Sequence, residues 1–177
     1  NELFEKKNLP FYKFGDAIYL AKIETKYWIE YICKRFENTG KHISPELAEE
    51  ICRLVDNHSS YVQQLSWLLW IRTINTATTE QLSYALEDLL DQNNILFQSE
   101  TENLSAYQMN FLKAIVDGIH TKFSSKEVIS KYNLGTSANI VRLKNALLQK
   151  ELIETNGKEI VLADPVFGVW FKKEMLY

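Results

Sequence analysis

Apolar positions recur along most of the chain with the period of a helix rather than a strand. From Thr25 on, Trp28, Ile32 and Phe36 are spaced four apart, which places them on one face of a helix. Thr25 is the expected N-cap, and Gly40 the expected C′ residue that stops the helix. Ser44-Pro45 opens a second helix: a serine cap, then a proline where its missing N–H costs nothing. Its apolar face is Leu47, Ile51, Leu54 and Val55. Ser59 or Ser60 is expected to cap a third helix, with Val62, Leu65, Leu68 and Leu69 on one side. Thr78-Thr79-Glu80 begins a fourth, carrying Leu82, Leu86, Leu89 and Leu90. Four helices joined by short connections predict a small antiparallel bundle. Ahead of them, "NELFEKK" reads as the last turns of a helix and "AIYLAKI" (17–23) as an extended segment.

The second half changes character. "LSAYQMNFLKAIVDG" (104–118), "SSKEVISKYNLG" (124–135) and "TSANIVRLKNALLQKEL" (136–152) each read as a helix. "LIETNGKEIVL" (152–162) reads as a hairpin with Asn156-Gly157 as its expected type I′ turn. "DPVFGVWFKKEML" (164–176) reads as a short aromatic helix whose Phe167, Trp170 and Phe171 pack under the hairpin. Three helices followed by a hairpin are the order of a winged helix-turn-helix. The expected fold is therefore mainly α, a four-helix bundle followed by a winged helix with a β-hairpin wing. The polar stretch "QSETEN" (98–103) is the expected boundary, which gives units of 1–100 and 103–177.

Charge agrees with that division. Residues 1–102 hold 10 Lys+Arg against 16 Asp+Glu, net −6, whereas residues 103–177 hold 10 against 7, net +3. No apolar run reaches the roughly 20 residues that span a bilayer. The first residue is Asn rather than Met. The expectation is a piece of a longer cytoplasmic protein, with no membrane partner. Cys33 and Cys52 stand alone within helical patterns, and His42, His58 and His120 lie far apart, so no metal-ligand spacing appears.

Two places carry candidate chemistry. "DNHSSYVQQL" (56–65) sets a histidine at the start of a helix, where free N–H groups and the helix dipole favour an anion. The plainer reading is a simple cap, with Ser59 accepting from an amide and His58 partly exposed. In the winged helix, Asn139, Arg142, Lys144 and Asn145 are the expected outward positions of the recognition helix, and Lys158 sits on the wing. Against DNA, Glu151, Glu154 and Glu159 crowd the wing and would repel phosphate. Contact with a partner protein is the alternative. Trp67 and Trp70, flanking Leu68-Leu69, read as core or as a docking face for a nucleotide-binding domain. Glu49-Glu50 and Glu87-Asp88 read as solvated faces.

The order "FYKFGDAIYLAKI", "W..YI...F..TGK.IS...A..I", "NHSSYVQQL...LW", "DPVFGVWF" resembles the archaeal-type AAA+ ATPases of the STAND group. In these P-loop proteins a helical lid precedes a winged helix. The resemblance implies that residues 1–23 are the end of the ATPase core and a connector, and that 1–100 include the lid. It implies that Asn57, His58, Ser59 and Tyr61 face nucleotide. The family usually has Gly-Gly-His-Pro or Gly-x-Pro there. This chain has Asp56-Asn57-His58-Ser59, which keeps the histidine but not the glycines or the proline. Lys13 and Phe14 stand where the family has Gly and Arg, so no arginine role carries over. No G-x-x-x-x-G-K-[ST] occurs, nor a hydrophobic strand ending in paired acids. The implied protein is the lid and winged helix of an ATPase. It has no catalytic residues, metal or cofactor of its own and hydrolyses nothing alone. Its partner is a P-loop domain of the same protein that binds ATP and Mg²⁺. The alternative is a winged-helix DNA-binding regulator whose helical half dimerises or receives a signal.

Overall fold

A computed structural model describes residues 21–176. The readings of "NELFEKK", of Lys13 and Phe14, and of most of "AIYLAKI" lie outside them. Residues 21–24 have no regular structure. Eight helices and one two-stranded sheet follow among the described residues. They are α1 (Thr25–Glu37), α2 (Pro45–Leu54), α3 (Ser59–Arg72), α4 (Thr79–Glu102), α5 (Ala106–Val116), α6 (Lys126–Tyr132), α7 (Ser137–Gln149), β1 (Ile153–Asn156), β2 (Glu159–Leu162) and α8 (Pro165–Leu176).

Trp28, Ile32 and Phe36 are the buried stripe of α1. Gly40 ends that helix as expected. With φ at 73°, it donates to Glu37 O at 3.0 Å while Lys41 N reaches back to Phe36 O at 3.1 Å, the paired bonds of a Schellman motif. Ser44 caps α2 by accepting from Leu47 N at 3.2 Å. A capping box of Thr78 and Gln81 starts α4, and one of Ser105 and Gln108 starts α5. The α1–α2 and α3–α4 connections are stitched together: His42 N donates to Asn75 O at 2.7 Å and Ala77 N to His42 O at 2.8 Å.

Several local expectations are corrected. Thr25 is not the cap of α1 but its first residue; Glu24 holds the cap without a side-chain bond, and the Thr25 hydroxyl pairs with Asn57. Neither Ser59 nor Ser60 caps α3; His58 occupies the cap, again with no side-chain bond. In the hairpin Asn156 pairs with Glu159, so the two-residue turn is Gly157-Lys158. Of the two, only Gly157 has positive φ, at 61°, which fits a II′ turn with glycine first and excludes I′. Trp67 is not core but 56% exposed.

The expected boundary at 98–103 falls on the last turn of α4, a helix of 24 residues and about 36 Å that ends at Glu102. Its last turns bury Phe97 and Thr101. The Phe97 ring meets Phe167 edge-on at 5.4 Å and Trp170 at 5.6 Å, and Trp170 Nε1 donates to Asn94 Oδ1 at 2.8 Å. The aromatic face of α8 therefore packs against α4 as well as against β2. One contiguous hydrophobic core results, from Trp28 at one end to Phe171 at the other. Polar composition at 98–103 marks only the exposed side of an amphipathic rod.

Candidate functional site

The turn between α2 and α3 is built from two consecutive left-handed residues, Asp56 (φ 47°) and Asn57 (φ 54°). Side chains disfavour this conformation by roughly 1–2 kcal/mol per residue, least for Asn and Asp, whereas glycine adopts it freely. The backbone thus takes a path suited to glycine without having glycine. It is held from outside. Lys22 Nζ donates to the Asp56 carboxylate at 2.6 Å and to Asp56 O at 3.0 Å. Asn57 Nδ2 donates to Thr25 Oγ1 at 3.0 Å. The entry to α1 is thereby tied to the entry to α3.

His58 follows, half-buried, its ring 4.8 Å from that of Tyr61. Its Nδ1 is buried and has no partner among the described residues. The first turn of α3 carries no acidic residue and no side-chain cap, so its amide N–H groups are left for an anion. Ser59 is exposed at N1. On the other side of the turn lies a polar cleft of about 460 Å³, lined by Glu46, Glu49, Glu50, Arg53, Asp56 and Asn57 among others. Arg53 is spent on Glu50, and its hydrogen bonds hold that carboxyl below the usual range. The backbone amide at the start of α2 and Ser44 lower the Glu46 carboxyl likewise. Four carboxylates against one arginine, itself paired with Glu50, make that cleft repel an anion.

Tyr61 turns away from the surface. It is 9% exposed, and its hydroxyl donates to Asp164 Oδ2 at 2.5 Å. The other oxygen of Asp164 accepts from Val166 N at 2.8 Å and Phe167 N at 3.0 Å, capping α8 ahead of Pro165. Burial first, then the Asp164 carboxylate, raise the Tyr61 phenol far above its ordinary range. Burial and Asp164 also raise the carboxyl of Glu100, on α4. The His58 ring thus lies against Tyr61, whose hydroxyl reaches the cap of α8, while Asn57 turns to Thr25 and Ser59 is exposed. Sequence reasoning missed Asp164 and Glu100. "DP" signals a helix start, but nothing local in the chain tells which distant residue shares the Asp164 carboxylate.

The positions predicted for DNA contact are only partly arranged for it. Arg142, Asn145 and Lys158 are exposed and Lys144 half-buried. Asn139 is not outward: its amide donates to Leu134 O at 2.9 Å, closing the α6–α7 turn, and its oxygen accepts from Arg142 at 2.9 Å. Glu151, Glu154 and Glu159 are exposed along the wing.

A family model described as "Probable winged helix domain" matches residues 95–173. The second half of the chain is a winged helix. The match starts inside α4, just where Phe97 begins the packing against α8, so the last turns of that rod go with the winged helix. Among solved structures, the Walker-type ATPase PABY2304 of Pyrococcus abyssi is similar in fold, with TM-score 0.63 at 18% identity. The likeness covers 85% of this chain and 42% of that one, so this chain spans less than half the length of that protein. No curated protein matches the sequence. Among the described residues no helix is long and apolar enough to cross a membrane.

Proposed function

We propose that this chain is the regulatory C-terminal part of a nucleotide-driven switch: a helical lid that faces ATP or ADP, followed by a winged helix that reads the nucleotide state. The likeness to a Walker-type ATPase over most of the chain supports this assignment. The observation that carries it is the path from His58 through Tyr61 to Asp164 and α8. A group binding at His58 acts on the ring that holds the winged helix in place.

The residues present fit the phosphate end of a nucleotide. His58 has an unpartnered buried nitrogen, and the amides of Ser59 and Ser60 open the helix. A P-loop domain of the same cytoplasmic protein would hold ATP and Mg²⁺ and supply hydrolysis; this chain supplies only the sensing contact. The lid and the winged helix share one core. In this reading they swing together as one body about the P-loop domain.

The test is the protein with its P-loop domain attached. His58→Ala should weaken nucleotide binding and uncouple hydrolysis from the winged helix. Unchanged binding and hydrolysis would end the reading. For the DNA-binding alternative, random duplex at low salt should bind, and Arg142→Ala and Lys144→Ala should weaken it; no binding at low salt removes that alternative.

A further inference from the structure

Residues 21–24 lead into α1 without regular structure. Two side chains at this entry nevertheless bond to a turn 32 to 34 positions further on. Lys22 Nζ donates to the Asp56 carboxylate at 2.6 Å and to the Asp56 carbonyl at 3.0 Å. Thr25, the first residue of α1, exchanges hydrogen bonds with Asn57: Nδ2 donates to the hydroxyl at 3.0 Å, and the hydroxyl to Oδ1 at 3.2 Å. Glu24 is turned to Lys26 at 2.8 Å, which leaves Lys22 to Asp56.

Asp56 and Asn57 are the two left-handed residues of the α2–α3 turn. A side chain makes that conformation unfavourable, and Asp or Asn offsets this when its short polar group bonds locally. Here every side-chain hydrogen bond of the pair, among the described residues, goes to the entry of α1 instead. Backbone bonds from Asn57 N to Cys52 O and from His58 N to Val55 O, at 2.9 Å each, close the turn on α2. His58 then caps α3 with no side-chain bond of its own. The start of α3 therefore takes its position from the turn, and the side chains of the turn are held by Lys22 and Thr25. The Lys22–Asp56 pair is exposed and weak by itself. The half-buried Thr25–Asn57 pair is the stronger hold.

We propose that residues 22–25 are a strap across the α2–α3 turn, through which a shift of the polypeptide ahead of α1 sets the order of the first turn of α3. With the strap seated, Asp56 and Asn57 stay left-handed and His58 is fixed beside Tyr61. With it drawn off, the turn relaxes and the start of α3 loosens. The strap gives the proposed switch an input, and in that respect rests on that reading; the coupling itself needs no nucleotide.

The test is hydrogen exchange, followed by NMR on the whole 177-residue chain without nucleotide. The amides of Asn57, His58 and Val62 report the turn and the first turn of α3, since each is bonded to a backbone carbonyl. Thr25→Val keeps the shape of the side chain and loses the hydroxyl. It should speed exchange at these three at least about fivefold and leave amides within α5 unchanged. Lys22→Ala should act in the same direction and less. Asn57→Gly loses the same bond but adopts the left-handed backbone freely, so exchange at His58 and Val62 should stay within about twofold of wild type. Circular dichroism checks that the variants fold. Unchanged exchange in Thr25→Val would overturn the proposal, as would an equal rise throughout the chain. So would an Asn57→Gly variant as open as Thr25→Val, because the bond would then be a plain tether rather than the holder of a strained turn. Failure of the sensing role at His58 leaves these outcomes unaffected, and their failure leaves that role to its own test.

Discussion

The Tyr61 phenol donates a 2.5 Å hydrogen bond to Asp164, 103 residues further along the chain. One partner stands in the first turn of α3, the other caps α8. The bond closes the two halves on each other next to His58. It is the polar counterpart of the apolar seam made by Phe97, Phe167 and Trp170.

Tyr61→Phe should keep the ring packing and lose the bond, lowering stability by about 1–2 kcal/mol. Asp164→Ala should cost more, about 2–4 kcal/mol, because it also removes the cap of α8 and leaves a buried hydroxyl unpaired. Denaturant midpoints of the two single variants and the double variant give the coupling between them. Additive losses would show that the bond carries no joint energy.

Glu100 gives a pH signature. Burial and Asp164 raise its carboxyl in the folded chain, so the folded state binds that proton more tightly than the unfolded state. The favourable contribution is complete below the unfolded pKa and is lost as pH rises through the folded one. Glu100→Gln should therefore raise the thermal midpoint at neutral pH and leave it little changed below about pH 4. A variant less stable than wild type at neutral pH would contradict this.

Phe97 is 1% exposed at the seam. Phe97→Ala should cost about 3–5 kcal/mol, as for other large buried aromatics. In the wild type, circular dichroism and tryptophan fluorescence should report one shared unfolding transition, since the core is continuous. In Phe97→Ala the two probes should separate as the halves lose their common packing. Coincident curves in the variant would place the cooperativity elsewhere.

The two thiols should differ in reactivity. Cys52 is fully buried and burial pushes its thiol up to about 11, so it stays protonated. Cys33 is only half-buried, its thiol raised first by burial. At about pH 8 a disulfide reagent should label Cys33 in the native chain, and Cys52 only at the rate of unfolding. Equal labelling would mean that α2 opens readily.

The chain's own pattern determined the helices, because 3.6-residue periodicity and cap chemistry are local. Trp28-Ile32-Phe36, Ser44-Pro45, Thr78 and Gly40 each mark an element within a few residues of themselves. The winged-helix order was legible for the same reason, as was His58 as a candidate. Tertiary structure decided the rest. Thr25 stands one residue inside the helix, its hydroxyl paired with Asn57, 32 residues away. Trp67 remained outside because the helices about it left a cleft that no side chain of the bundle fills. "QSETEN" stayed helical up to Glu102, as the continuation of a rod whose Phe97, just before it, packs against Phe167 and Trp170 of α8. Asn139 turned inward to the carbonyl of Leu134. Except for Asn139, whose partner lies five residues back, these outcomes turned on which group distant in sequence lay within a few ångströms, and spacing along the chain holds no record of that.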